Sequence, residues 1–217
     1  EVDSREGESA TCPQLGSEEV RAILVLEDGT VYEGVSIGQP GRALGEVVFD
    51  TAMVGYQQAF TDPSFRGQIL TLTYPLIGNY GTNDEDYESS RCQIAGLVVK
   101  EMCEVPSNFR STETLGGFLK RHGVVGIAGV DTRALTRKLR DVGVMMGAIS
   151  TEETLHEALQ RIKNSPAYGE VDLVRQVSTA SPHQWAPVGR PGGETRATGS
   201  EEELRIAVVD YGIRTSI

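Results

Sequence analysis

Near residue 111 the hydrophobic pattern of this chain changes period. Before it, short apolar runs are separated by glycine-containing turns. Ala22 to Leu26 is apolar, Asp28-Gly29 follows, and Val31-Tyr32 resumes the run, which is a tight-hairpin signal. Glu46 to Phe49 reads as a strand. Gln68 to Tyr74 alternates Ile69, Leu70, Leu72 and Tyr74 with Thr71 and Thr73, and Ile94 to Val99 is a further short strand. After residue 111 helices and strands alternate. Ser111 or Thr112 opens a helix carrying Leu115, Phe118 and Leu119, closed by Gly123, and Val124 to Ile127 is a strand. Asp131 is an N-cap for a helix with Leu135, Leu139 and Val142 on one face, closed by Gly143. Val144 to Ile149 is a strand, and Ser150 with Glu153 reads as a capping box ahead of Leu155, Ala158, Leu159 and Ile162, ending before Pro166. A strand-rich half followed by an alternating half predicts an α/β fold with a mixed sheet.

The flanks differ from this middle. Residues 1–20 carry six acids and one base without apolar periodicity, and read as a disordered acidic leader. Residues 178–203 hold three prolines and four glycines and read as a linker. Ile206 to Asp210 then has a buried-strand pattern. The expected division is a leader at 1–20, one domain at 21–177, a linker at 178–203 and the start of a second domain at 204–217.

Charge and composition narrow the function. With 20 Lys and Arg against 31 Asp and Glu, the net charge is -11, the wrong balance for a general nucleic-acid binder. No apolar run approaches the ~18 residues of a membrane span, and the acidic first residues do not resemble a secretory or transit signal. Cys12, Cys92 and Cys103 form no metal or redox spacing, which suits a reducing, cytoplasmic setting. His122, His156 and His183 have no ligand partner at metal spacing, so no metal site is expected. Neither a G-x-S-x-G elbow nor a phosphate-binding G-x-x-x-x-G-K-[ST] loop occurs. The run Asp84-Glu85-Asp86-Tyr87-Glu88 lacks the Gly and Glu of a calcium loop, because Ser89 and Ala95 stand in those places, and reads as a solvated or partner-facing loop.

Thr61-Asp62-Pro63-Ser64-Phe65 is the local pattern with the most chemistry. Asp62 can cap a helical turn and Pro63 suits its first position. The Ser64 N–H and hydroxyl would then sit at a helix N-terminus, where an anion is stabilised. An ordinary turn explains the same residues.

A series of longer blocks resembles the small subunit of glutamine-hydrolysing carbamoyl-phosphate synthetase. They are Leu24 to Thr30, Gly45 to Phe49, Gly55-Tyr56-Gln57 leading into Thr61 to Phe65, Leu72 to Pro75, Ile77 to Asn83, Ser107 to Arg110 and Gly129 to Arg137. The resemblance runs from about Arg21 to Ile217. It implies a β/β/α swivelling-type N-terminal domain followed by a class I glutamine amidotransferase domain. In that second domain a Cys attacks the glutamine side-chain amide, His serves as acid and base beside a Glu, and ammonia passes to a large subunit. The large subunit, separate or fused, would hold ATP and Mg and make carbamoyl phosphate from bicarbonate for arginine and pyrimidine synthesis. Of the family's glutamine-binding residues, one matches here, the Ser of the T-D-P-S block, which is Ser64. No catalytic residue is carried over, because the triad belongs beyond Ile217 and the chain reads as the front half of a longer subunit. No cofactor is expected in the chain itself. The implied partners are the large subunit and glutamine. A non-catalytic module that only docks on the synthetase subunit is the alternative.

Overall fold

The computed structural model describes residues 20–183 and 206–216. The leader, apart from Val20, and most of the linker lie outside the described residues.

The Asp28-Gly29 hairpin forms as expected between β1 (Arg21–Leu26) and β2 (Val31–Gly38), with Gly29 at φ 87° and the Thr30 N–H donating to Asp28 Oδ1 at 2.9 Å. The chain continues through β3 (Arg42–Asp50), a short helix α1 (Tyr56–Thr61), a single 3-10 turn (Pro63–Phe65) and β4 (Gln68–Leu72). Next come β5 (Leu76–Ile77), β6 (Gly96–Val98), β7 (Glu101–Met102), α2 (Leu115–Arg121) and β8 (Val125–Ala128). The series ends with α3 (Thr132–Val142), β9 (Met145–Ser150), α4 (Leu155–Asn164) and α5 (Val174–Val177).

The expected mixed sheet is present, and it closes on itself. Seven strands form a barrel in the order β1-β2-β8-β6-β4-β3-β9, while β5 and β7 pair separately. The contacts β1/β2, β1/β9, β2/β8 and β3/β9 are antiparallel, and β3/β4, β4/β6 and β6/β8 are parallel. Period-two alternation sorts the side chains into layers. Ala22, Leu24, Leu26, Val47, Ile69, Val98, Val125, Ile127 and Ile149 cluster with Leu135 and Leu139 of α3. The alternate residues Leu70, Leu72 and Leu97 pack instead with Phe60 of α1 and with Leu115, Phe118 and Leu119 of α2. Val25 and Ala148 pack under Ala158 and Ile162 of α4. That helix is held to β3 by Arg161, which pairs with Glu153 at 2.7 Å and donates to the Ala43 carbonyl at 3.2 Å.

Several local expectations are corrected. The cap of α2 is Thr114, whose hydroxyl accepts from the Gly117 N–H. The capping box of α4 is Thr154 with Glu157, one turn later than Ser150 with Glu153. Ser150 instead accepts the N–H groups of Glu152 and Glu153 in the turn before the helix. Val142, expected on the buried face of α3, is 65% exposed. The cap at Asp131 is as expected, accepting from the Ala134 N–H at 2.9 Å. Helix α1 has no periodic signature, because it is only six residues long and buries Tyr56, Gln57, Ala59, Phe60 and Thr61 nearly all round. Among the described residues no helix is long and apolar enough to cross a membrane.

His122, the C-cap of α2, packs on Phe118 at 4.5 Å and meets the Tyr87 hydroxyl through Nε2 at 3.0 Å. Burial, then the nearby Arg121 charge, holds its pKa below the ordinary imidazole value. The unfolded chain therefore takes up a proton at His122 before the folded chain does. The resulting stability is fully present well above the ordinary imidazole value of about 6.5 and is lost progressively as pH falls through it. The urea midpoint of the wild type, measured relative to His122→Gln, should decline between about pH 7.5 and about pH 5.5. A difference that stays flat over that range would sink this assignment.

Candidate functional site

The turn at Asp62–Phe65 forms as the sequence predicts. Pro63 opens a 3-10 helix of three residues, and Asp62 caps it by accepting the Ser64 N–H at 2.9 Å. The Ser64 N–H stands at the start of that turn as expected, and the Asp62 carboxylate holds it. A single turn also has little dipole of its own. What Ser64 offers is its hydroxyl, on an exposed side chain with no hydrogen-bond partner among the described residues. It stands on the lip of a cleft of about 510 Å³ that also carries Arg66, Tyr168, Asp172, Tyr211 and Gly212. Arg66 donates through Nε to Gln176 at 3.0 Å, and Tyr168 donates to the Arg66 carbonyl at 2.8 Å. A guanidinium, a carboxylate and several hydroxyls around one opening suit a small polar ligand bearing both charges.

Tyr211 and Gly212 bring the segment 210–216 to this cleft. Asp210 Oδ1 accepts the N–H groups of Gly212 and Ile213, at 2.7 and 2.8 Å, closing a tight turn. Gly212 (φ 105°) lets that turn approach closely, since a Cβ there would lie 2.8 Å from the Val177 side chain and 3.1 Å from that of Pro63. Arg214 reaches Asp62 Oδ2 at 3.5 Å, so one carboxylate touches both the Ser64 turn and the incoming segment. Glu88 is the second anchor. Its carbonyl accepts the Thr215 N–H at 2.9 Å and its carboxylate the Ser216 N–H at 3.0 Å. Its own N–H donates to the hydroxyl of Thr61, which is fully buried. Glu88 itself is 8% exposed, which corrects the solvated-loop reading at this position. Asp84 and Glu85 are exposed and Asp86 is half-buried, the three facing Arg121 and Arg110, while Tyr87 packs against Phe118.

The strand expected at Ile206–Asp210 does not form. Residues 206–210 join no ladder among the described residues, and Ile206, Val208 and Val209 are 85%, 66% and 73% exposed. A closed barrel presents no free edge for a further strand to join.

Behind the Ser64 turn, two of the sequence blocks are knitted together. Tyr56 stacks on Tyr80 at 4.1 Å, and the Tyr80 hydroxyl accepts the Gly55 and Tyr56 N–H groups at 2.6 and 3.1 Å. The Tyr56 hydroxyl donates to the Gly81 carbonyl. The Gln57 amide spans Asn83, donating to its carbonyl and accepting its N–H. These contacts fix the start of α1, and so the direction from which Thr61 delivers the chain into the turn. Gln57, Tyr80, Glu88 and Arg214 were not readable as a unit, because their partners lie 24 residues or more away in sequence.

Both described cysteines face backbone carbonyls. Cys92 donates to the Phe60 carbonyl at 3.4 Å, and burial pushes its thiol up to about 12, far from a reactive thiolate. Cys103 faces the Val105 carbonyl, and His122 is engaged with Tyr87. Among the described residues no three His, Cys, Asp or Glu side chains come together to hold a metal ion.

Comparison with known proteins identifies the family. The profile of the carbamoyl-phosphate synthase small chain, CPSase domain, matches residues 24–149. The carbamoyl phosphate synthase small chain of Thermosynechococcus vestitus is 46% identical over 199 residues, covering 90% of this chain and 52% of that protein. That of Nitratidesulfovibrio vulgaris is 47% identical over 203 residues, covering 91% and 54%. That of Escherichia coli O6:H1 is 46% identical over 206 residues, covering 90% and 53%. A solved aminopeptidase from Aneurinibacillus sp. strain AM-1 superposes with a TM-score of 0.39 at 18% identity, over 62% of this chain and 31% of that one, which is too slight to bear on fold or function. The chain spans about half the length of the curated relatives it matches. With the profile covering the whole barrel except its outermost residues, and relatives of this identity along nine-tenths of its length, this chain belongs to the carbamoyl-phosphate synthase small chain family.

Proposed function

We propose that this chain is the front part of the glutamine-hydrolysing subunit of carbamoyl-phosphate synthetase, working in the cytoplasm with a large synthetase subunit. Family membership is the observation that carries this reading. Hydrolysis of glutamine belongs to the complete subunit, whose Cys nucleophile, His and Glu are not among the residues of this chain that carry the resemblance. ATP and Mg belong to the large subunit, and the barrel domain is the part that docks there. Residues 21–177 would be that docking domain, of swivelling type, and Ile206–Asp210 the first strand of the amidotransferase domain. The exposure of Ile206, Val208 and Val209 supports this, since apolar residues of that kind find cover once neighbouring strands are present.

Ser64 is read as part of the glutamine site. Its unengaged hydroxyl, at a cleft that also carries Arg66 and Asp172, supports a role in positioning the substrate amino acid. It makes and breaks no bond. In the complete subunit, Ser64→Ala should raise the glutamine KM several-fold, the loss of one hydrogen bond worth about 0.5–1.5 kcal/mol. Ammonia-dependent synthesis should be nearly unchanged. A glutamine KM equal to wild type would return Ser64 to a plain turn role.

The companion test addresses the division of labour. A polypeptide of these 217 residues should release no glutamate from glutamine, because burial pushes the Cys92 thiol up to about 12 and neither Cys92 nor Cys103 has an imidazole as hydrogen-bond partner among the described residues. Steady glutamate release by the pure chain would overturn this reading.

A further inference from the structure

Glu88 stands apart from the acidic run in which it lies. Asp84, Glu85 and Asp86 pair with Arg121 and Arg110. Glu88 is buried and pairs with no cation among the described residues. Both of its acceptors turn instead to the main chain of a distant segment. Its carbonyl takes the Thr215 N–H at 2.9 Å, and its carboxylate takes the Ser216 N–H at 3.0 Å, 128 residues away in sequence. Asp210 holds the N–H groups of Gly212 and Ile213. The turn at 210–216 therefore hangs from two acids, one of its own and one supplied by the barrel domain.

On its other side Glu88 is tied to the stretch of chain that carries Ser64. The Glu88 N–H donates to the Thr61 hydroxyl at 2.9 Å, and that hydroxyl donates on to the Gln57 carbonyl at 3.0 Å within α1. The Ser89 hydroxyl donates to the Thr61 carbonyl at 2.6 Å and accepts from the Gln93 amide at 2.8 Å. The Gln93 N–H donates to the Phe60 carbonyl at 2.8 Å. Residues 88–93 are thus fastened to Phe60 and Thr61, and Ser64 follows three residues after Thr61. The two bonds to Thr215 and Ser216 end on main-chain N–H groups, so Glu88 fixes one backbone against another. The carboxylate acceptor makes the second bond the stronger of the two. The Arg214 guanidinium, 3.5 Å from Asp62 on an exposed side chain, is a looser link.

The glutamine site of the complete subunit draws on two folding units, with Ser64 on the barrel domain and the attacking Cys on the amidotransferase domain that begins near Ile206. A substrate held by one unit and attacked from the other reacts fast only when the separation of the two is fixed. We infer that Glu88 is a positioning residue for glutamine hydrolysis. It holds residues 215–216 against the Thr61–Ser64 turn and so sets the Ser64 hydroxyl at its distance from the nucleophile. The inference rests on the function proposed above. Glu88 touches no substrate and acts through Ser64.

The test uses the complete subunit assembled with its large subunit, and reads glutamine-dependent and ammonia-dependent synthesis side by side. Glu88→Ala should raise the glutamine KM about three- to tenfold, the effect of one lost hydrogen bond, and leave kcat within about twofold. Ammonia-dependent synthesis should stay at the wild-type rate. In a Ser64→Ala background the same substitution should add less than about twofold, because the hydroxyl it positions is gone. Glu88→Gln keeps an acceptor oxygen for the Ser216 N–H and should recover most of the loss. Should the alanine variant fail to fold, Glu88→Asp takes its place, since it keeps the charge and draws the carboxylate back by one methylene. A wild-type KM in that variant, while Ser64→Ala still raises it, overturns the inference and leaves the proposed function standing. So does a double variant whose KM rises by the product of the two single effects, which gives Glu88 a structural role apart from Ser64. A glutamine variant as impaired as the alanine variant overturns it as well. A wild-type complete subunit that hydrolyses no glutamine overturns the proposed function, and the inference with it.

Discussion

Gly45→Ala is expected to cost this protein about 3 kcal/mol or more and to broaden or abolish its cooperative unfolding. Gly45 lies in the middle of β3, between β4 and β9. A Cβ there would stand 2.2 Å from the Gly67 carbonyl oxygen. That oxygen belongs to backbone held from both sides. The Gly67 N–H donates to the Gln93 carbonyl at 3.0 Å, and the next residue, Gln68, begins the ladder with Glu46. No side chain can swing away to relieve the overlap, so the backbone leading from the Ser64 turn into β4 must move. Gly29→Ala is the control. It forces a left-handed φ of 87° with nothing within 4 Å of the new carbon, and should cost about 1–2 kcal/mol. Urea unfolding followed by far-UV circular dichroism separates the two. Equal losses would mean that the Gly67 backbone yields freely.

Phe118→Ala is expected to destabilise by about 3–5 kcal/mol through the cavity it leaves. Phe118 is fully buried on α2, its ring 6.0 Å from Phe60, 6.0 Å from Tyr87 and 4.5 Å from His122. It joins α2 to α1 over the outer face of the barrel. Phe60 stands two residues before the Asp62 cap, so loosening this cluster also loosens the base of the Ser64 turn. Phe118→Leu keeps most of the volume and should cost less, about 1.5 kcal/mol or below. A loss under about 1 kcal/mol for the alanine variant, read from the unfolding midpoint, would mean that the site collapses around the missing ring.

Much of the architecture is legible from residue order because its signals are local. The Asp28-Gly29 turn, the Asp131 cap and the Asp62-Pro63 turn each depend on residues within a few positions of one another, whereas β4, read as alternating, is buried on both faces from Ile69 to Leu72. The six-residue α1 escapes the same reading because it is too short to show a period and is buried on nearly every side. The capping box of α4 is displaced by one turn because Ser150 and Thr154 offer the same chemistry, and the two differ only in where the helix meets β1 and β9.

The candidate site divides in the same way. Ser64 and its Asp62 cap are visible in five consecutive residues. The role of the Asp62 second oxygen toward Arg214, the burial of Glu88 and the Gln57–Asn83 pair are not, since they join positions brought together by the closed barrel.

Local chemistry along the chain thus set the elements, their caps and the family pattern in which Ser64 sits. Closure of the sheet, the register that places Gly45 against Gly67, and the meeting of Glu88 and Asp62 with residues 210–216 come from contacts between distant segments. Such contacts form only when burial of the whole core compensates the entropy of bringing those segments together.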